Sequence, residues 1–189
     1  MRRAALAVVL ASILVGLSAC GAASQASAGT GTKLPVSSSV TTEAPRPAGS
    51  RPSKIATMVC AVKAQHEIGE VLGVSAIVSK PTWTDHNYSC RYRYRQGFFA
   101  LSVKELSSWS QTFAYYRALG RRLGDKGALG NLGQGAFTTS GGSVVVRKDW
   151  KVLLVDVSAL PAELGRPPTG SAEVAFTVAD LILGCWRGD

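Results

Sequence analysis

The chain has 189 residues, 46% of them apolar, with 20 Gly, 8 Pro and 4 Cys, which excludes a collagen or a wholly disordered chain and suits one modest globular domain with appendages. Lys and Arg number 21 against 12 Asp and Glu, a formal net charge of +9. Much of that excess sits outside the region that reads as a domain, so the overall basicity is a poor argument for a nucleic-acid partner.

Residues 1–19 read as an export signal: a charged start at Arg2 and Arg3, an apolar stretch from Ala4 to Leu17, then the small residues Ser18 and Ala19. The apolar stretch is shorter than the roughly 20 residues a permanent membrane-crossing helix needs, and a polar tract follows it. Leu17-Ser18-Ala19-Cys20 resembles the lipobox of bacterial lipoproteins. That resemblance implies diacylation of Cys20, which becomes the first mature residue. Each buried acyl methylene contributes about 0.8 kcal/mol and one chain anchors only marginally, so two or three chains are what hold.

Residues 21–57 are rich in Ala, Ser, Gly and Thr, with Pro35, Pro45, Pro47 and Pro52 and one acid, Glu43; with Cys20, this stretch reads as a flexible tether. Coil scaling puts the domain roughly 30 Å from the anchor. Loss of Arg2 and Arg3 takes the charge from +9 to +7, and the tether's four cations and one anion account for +3 of it, leaving +4 on residues 58–189. That is an ordinary charge for solubility.

Within 58–189 the expected fold is α+β. From Met58 to Leu72 the residues Cys60, Ala64, Ile68, Val71 and Leu72 recur at helical spacing, and Gly73 stops the pattern. A short strand is possible at Ala76 to Ser79. Between Asn87 and Arg95 strict alternation puts Tyr88, Cys90, Tyr92 and Tyr94 on one face and Ser89, Arg91, Arg93 and Arg95 on the other. Gln96-Gly97 is the expected turn into a second strand, where Phe99, Leu101 and Val103 face one way, so the pair reads as a hairpin.

Ser107 or Ser108 is a cap for a helix with a Trp109, Phe113, Tyr116, Leu123 stripe, leaving Arg117, Arg121 and Arg122 to solvent. A Gly-rich stretch follows, then Ala136 to Thr139, Val144 to Arg147 and Val152 to Val157 as a meander. After a loop marked by Pro161, Pro167 and Pro168, Thr169 or Ser171 caps a last helix with a Val174, Val178, Leu181, Cys185 stripe. The expected order is helix, hairpin, helix, three-stranded meander, helix, with the helices packed on one face of an antiparallel sheet.

An exported chain is permitted disulfides, and Cys60, Cys90 and Cys185 remain once Cys20 is acylated. All three fall on inward stripes. Cys60 with Cys90 closes a loop of about 30 residues, worth ~3 to 4 kcal/mol in the chain-entropy model; Cys60 with Cys185 is the rival pairing.

Val59-Cys60 opening a helix, Glu67 to Leu72-Gly73 closing it, and Ser89-Cys90-Arg91-Tyr92 in the next strand resemble small actinobacterial lipoproteins of unknown function. Leu129-Gly130-Asn131-Leu132-Gly133-Gln134-Gly135-Ala136 is similar to a glycine-containing turn before a strand in those proteins and in related extracytoplasmic sensor domains. The resemblance covers most of residues 58–187. It implies a tethered α+β domain with a helix-to-strand disulfide and no established activity. Gly184-Cys185-Trp186 departs from a two-cysteine plan.

Catalytic patterns are weak. His66 and Glu70 share a helix face, but two ligands make no metal site, and the zinc-protease pattern needs a second His where Glu70 stands. Asp85-His86 reads as a loop, since sequence neighbours seldom form an oriented base. Gly127 to Gly135 lacks the Gly-Lys-Ser/Thr ending of a phosphate-binding loop and enters Ala136-Phe137-Thr138-Thr139 instead. No catalytic residue, metal or cofactor is expected.

The Arg91, Arg93, Arg95 row places three guanidinium groups along one sheet face, a candidate surface for an anionic polymer or acidic partner. The expectation is a lipid-anchored, extracytoplasmic domain at the cell membrane that binds, senses or assists an envelope component or protein partner without catalysis. The alternatives are an envelope enzyme with dispersed residues, for which Asp85, His86 and Glu70 come first, and a purely structural lipoprotein.

Overall fold

The computed structural model describes residues 45–186. The export signal, Cys20 and the tether as far as residue 44 lie outside the described residues. In chain order the elements are α1 (Lys54–Met58), α2 (Val62–Leu72), β1 (Ile77–Val78), β2 (Thr82–Thr84), β3 (Asn87–Tyr94), β4 (Gly97–Glu105), α3 (Trp109–Leu123), β5 (Asp125–Leu129), β6 (Ala136–Thr139), β7 (Val144–Lys148), β8 (Lys151–Asp156), β9 (Glu163–Leu164), β10 (Thr169–Gly170) and α4 (Ser171–Cys185). The class is α+β, built on an eight-stranded antiparallel sheet. None of the described helices is long and apolar enough to cross a membrane.

Alternation in β3 and β4 does what period-two side chains dictate. Cys90 pairs with Leu101, Tyr92 with Phe99 and Tyr88 with Val103 on one face, while Arg91 pairs with Ala100 and Arg93 with Phe98 on the other. The two-residue turn is Arg95-Gln96, with Tyr94 opposite Gly97, one residue earlier than the Gln96-Gly97 expected. Arg95 therefore belongs to the turn. Strand β8 then pairs with β4, which makes the hairpin and the later meander one sheet in the order β1-β3-β4-β8-β7-β6-β5, with β2 sharing the outer edge of β3.

The stretch expected as one helix from Met58 is two. The chain is extended at Ala61; the Val59 carbonyl accepts from the Tyr92 hydroxyl at 2.7 Å, and the Cys60 carbonyl accepts from Gln65 Nε2 at 2.8 Å. Those carbonyls are spent on side chains, so the first turn does not run into the second. Ser53 to Thr57, which composition places in the tether, belongs to the fold: Ser53 caps α1, and Ile55 and Ala56 are buried. Val71, expected on the inward stripe, faces solvent.

Helices α1, α2 and α4 pack on one face of the sheet and α3 on the other, against the expectation that all helices share one face. The main core joins Ile55, Val59, Ala64, Ile68 and Leu72 to Val174, Val178 and Ile182 over Cys90, Tyr92, Phe99, Leu101, Val103, Val144, Val146, Leu153 and Val155. A second, smaller core sets Leu119 of α3 on Phe137, Val145 and Val152, with Tyr115, Tyr116 and Leu123 around it. Valines 144 to 146 feed both cores by turns, so β7 is buried on both sides. Each fully buried Val or Leu contributes ~1.5 to 3 kcal/mol.

Strand β5, read only as part of a Gly-rich stretch, adds an edge to the meander on β6. Its residues are mostly exposed and carry no apolar alternation, which is why the pattern missed it. The last helix starts on Gly170 with no side-chain cap, in place of the Thr169 or Ser171 cap. Two hairpins close through residues with positive φ, Asp85-His86 and Asp149-Trp150, the conformation that matches strand twist in two-residue loops.

Residues 48–53 strap one end of the sheet. The Ala48 amide donates to Leu106 O at 3.2 Å, Trp83 Nε1 donates to Ser50 O at 3.0 Å, and Gly49 O accepts from His86 Nδ1 at 3.0 Å.

Candidate functional site

The α3 side of the sheet holds the features that invite a partner. Helix α3 lies over β6, β7 and β8, and the neighbouring face of β3 and β4 carries Arg91 and Arg93, both exposed, with Phe98, Ala100 and Ser102 half-buried between them and the helix. The Arg91 guanidinium sits 5.3 Å above the Phe98 ring. Ile77 stands opposite Arg93 and is 79% exposed. Lys104 Nζ bonds Asp85 O and lies 5.8 Å from the Tyr115 ring. Arg117, Arg121 and Arg122 of α3 are exposed, and that helix contains no acid.

The opposite side differs in sign. Helices α2 and α4 carry Glu67, Glu70, Glu173 and Asp180 against Lys63, with Lys63 3.6 Å from Glu67. Helices α2 and α4 together thus carry more acid than base, whereas α3 carries only base. Arg91 and Arg93 stand on the row read from the sequence; Arg95, in the turn, is exposed beyond its end.

The other sequence candidates have separate partners. His66 Nδ1 meets Glu70 at 3.3 Å, an exposed pair one helical turn apart. Asp85 and His86 form the β2–β3 turn, where His86 serves the strap and stands edge-on to Trp83 at 5.8 Å between ring centres. Among the described residues no hydrogen bond or ion pair joins Glu70 to either of them. No three of His, Cys, Asp and Glu are grouped there as a metal centre requires.

Cys60 and Cys90 stand at disulfide distance, with Cα atoms 6.0 Å apart, linking the entry to α2 with the middle of β3. Cys185, the rival partner, stands outside this pair, with its Sγ 3.6 Å from Glu67 Oε2.

One cluster escaped the sequence reading. Arg147 of β7 is only 7% exposed, and its guanidinium carbon lies 4.2 Å from the Phe113 ring centre, 4.9 Å from Trp109 and 5.9 Å from Tyr116. Nη2 donates to Gln134 O, and Nε is buried with no hydrogen-bond partner. Arg147 makes no ion pair among the described residues; the pairs Lys63–Glu67 and His66–Glu70 lie on α2. A buried cation without a carboxylate costs several kcal/mol, which three aromatic faces at ~0.5 to 2 kcal/mol each partly offset. Burial raises the Tyr116 hydroxyl above the ordinary phenol range; Asp125 adds to this and Arg147 opposes it. The phenol is therefore a donor at neutral pH. Parity along Val144-Val145-Val146-Arg147 was the available signal, because it puts Arg147 on the same face as Val145, toward α3.

Compared with known proteins, the chain matches no family model, no curated protein and no solved structure.

Proposed function

We propose that this protein is a lipid-anchored, non-catalytic binding domain of the cell envelope that holds an anionic envelope polymer against the open face of β3 and β4. The observation that carries the reading is the pair of exposed guanidinium groups, Arg91 and Arg93, on a sheet face beside a helix with three exposed arginines and no acid. Two residues apart on a strand, such groups stand about 6 to 7 Å from one another. An extended polyanion meets them with successive charges, and each guanidinium offers a planar fork to a carboxylate or phosphate. Acylation at Leu17-Ser18-Ala19-Cys20 and the helix-to-strand cysteine pair fit an oxidising, extracytoplasmic setting, as does the resemblance of the cysteine-bearing segments to small lipoproteins.

The test is co-sedimentation of the full chain with purified anionic wall polymer over rising salt, beside a variant carrying Arg91→Gln, Arg93→Gln and Arg95→Gln. Retention by the parent that weakens with salt, and at least a tenfold loss in the variant, is the expected result. Equal retention of the two proteins ends the reading. Mass spectrometry of the parent and of Cys20→Ser tests the anchor; an unmodified Cys20 in both removes the membrane from the account.

A further inference from the structure

Helices α3 and α4 are opposite in charge. Arg117, Arg121 and Arg122 stand on α3 with no acid, and Glu173 and Asp180 stand on α4 with no base. All five side chains are exposed. Each helix also shows an aromatic surface to solvent: Trp109 and Phe113 on α3 are each 41% exposed, with ring centres 6.0 Å apart, and Phe176 on α4 is 41% exposed. Trp109, Phe113, Arg117 and Arg121 follow one another at intervals of four residues, so one stripe of α3 carries two rings and then two cations, about 6 Å per step. The Arg117 guanidinium carbon lies 5.8 Å from the Phe113 ring centre, which makes ring and charge one surface. On α4, Glu173 precedes Phe176 by three residues and Asp180 follows it by four, so a carboxylate stands one turn to either side of the ring.

We infer that α3 of one copy docks on α4 of a second copy of this chain, with Phe176 against Phe113 and Trp109 and a carboxylate of α4 on Arg117. When ring meets ring, Arg117 lies about one turn further along α3. Because α4 carries a carboxylate on both sides of Phe176, one of them comes level with Arg117 whichever way the two helices run. Unlike charges steer the encounter and fix its register, and the aromatic side chains anchor it. The partner is a second copy because this chain carries both halves of the fit. Within one copy α3 and α4 cover opposite faces of the sheet and do not meet. Each copy therefore offers one basic and one acidic face, and the contact is heterologous, building a row or a ring instead of a two-fold dimer. Arg91 and Arg93 take no part, so the contact stands whether or not their face binds a polymer.

The experiment measures sedimentation of the full chain in a nonionic detergent, from about 10 μM to about 1 mM, the range of a weak contact. The sedimentation coefficient of the parent rises with concentration, and the rise fades as salt is added. Arg117→Glu with Arg121→Glu sets acid against acid, and Glu173→Lys with Asp180→Lys sets base against base. Either variant alone associates at least tenfold more weakly than the parent. An equimolar mixture of the two recovers the parent's behaviour, because every contact between unlike copies is again acid on base. Net charge does not account for that recovery: each substitution shifts it by two, taking the parent's +9 to +5 in one variant and +13 in the other, so the two repel. Phe176→Ala keeps every charge and weakens association about tenfold. Arg91→Gln with Arg93→Gln leaves it unchanged. All these positions are exposed, so the variants keep the parent's thermal midpoint. No rise in the parent, a rise that survives in either charge-reversed variant or in Phe176→Ala, or a mixture that behaves as its separate parts overturns the inference.

Discussion

Glu105, at the end of β4, takes both donors of Ser53: the Ser53 amide lies 3.3 Å from Oε1 and 3.4 Å from Oε2, and the Ser53 hydroxyl donates to Oε1. The same hydroxyl oxygen accepts from the Ala56 amide at 3.2 Å and so caps α1. Glu105→Ala removes the acceptor from a buried position and leaves Ser53 unserved, a cost of about 2 to 3 kcal/mol. Urea unfolding measures it, and amide exchange over residues 54–58 quickens more than exchange in β4. Equal exchange in the two segments contradicts the assignment.

The Cys60–Cys90 link closes a loop with a sequence separation of 30, so Cys90→Ala lowers stability by ~3 to 4 kcal/mol. Cys185→Ser leaves the pairing as it is, because the bond joins Cys60 to Cys90. Peptide mapping without reductant returns one cross-linked pair, Cys60 with Cys90; a peptide joining Cys60 to Cys185 refutes this.

Burial, with the neighbouring Tyr94 adding to it, pushes the Tyr92 phenol well above its ordinary range, and its hydroxyl donates to Val59 O. The folded state holds this proton at a pH where the unfolded chain, with a phenol near 10, releases it. The contribution is therefore complete below pH about 10 and falls by ~1.4 kcal/mol per pH unit above it until the folded group ionises. Tyr92→Phe is less stable than the parent at neutral pH by about 1 kcal/mol, yet its stability declines less steeply in alkali. Parallel curves of unfolding free energy against pH for the two proteins count against this account.

Gly73 ends α2 in the left-handed region with φ of 61°, and a Cβ there collides with the carbonyl oxygen of Arg166, whose own amide donates to Leu72 O at 2.9 Å. Gly73→Ala costs about 1 kcal/mol for the backbone conformation alone and more for the displaced loop. A thermal midpoint equal to that of the parent speaks against the close approach.

Arg91 and Arg93 are exposed and make no ion pair among the described residues. Replacing both with Gln changes folding stability by less than about 0.5 kcal/mol, so loss of binding in that variant reads as loss of surface chemistry. A large fall in the thermal midpoint shows the pair to be structural.

Strand β3 was legible because alternation over eight residues has one reading, and Cys90 and Tyr92 went to the core as their parity required. Helix α3 was legible from its apolar stripe and from Ser108, which caps it. What the pattern missed has physical causes. The helix period tells which side of a helix is apolar but not which side of the sheet receives it, so α3 was assigned the wrong face. Lys54–Met58 is too short for a period and was hidden by the prolines before it. In the candidate site, Arg91 and Arg93 followed from alternation, whereas the Arg147 cluster joins three residues of α3 to one of β7 through packing that sequence spacing does not encode.

The placing of the Cys60–Cys90 bond has a mechanical consequence. A chain pulled from Pro45 gives way first at Ala48 and Leu106, next at Gly49 with His86 and Ser50 with Trp83, then at Ser53 and Glu105, and then along α1. The tear reaches Cys60 and passes sideways through sulfur into Cys90, in a strand bonded on both edges. Peeling turns into shear there, and the bond acts as a rip-stop that leaves the arginine-bearing strands intact.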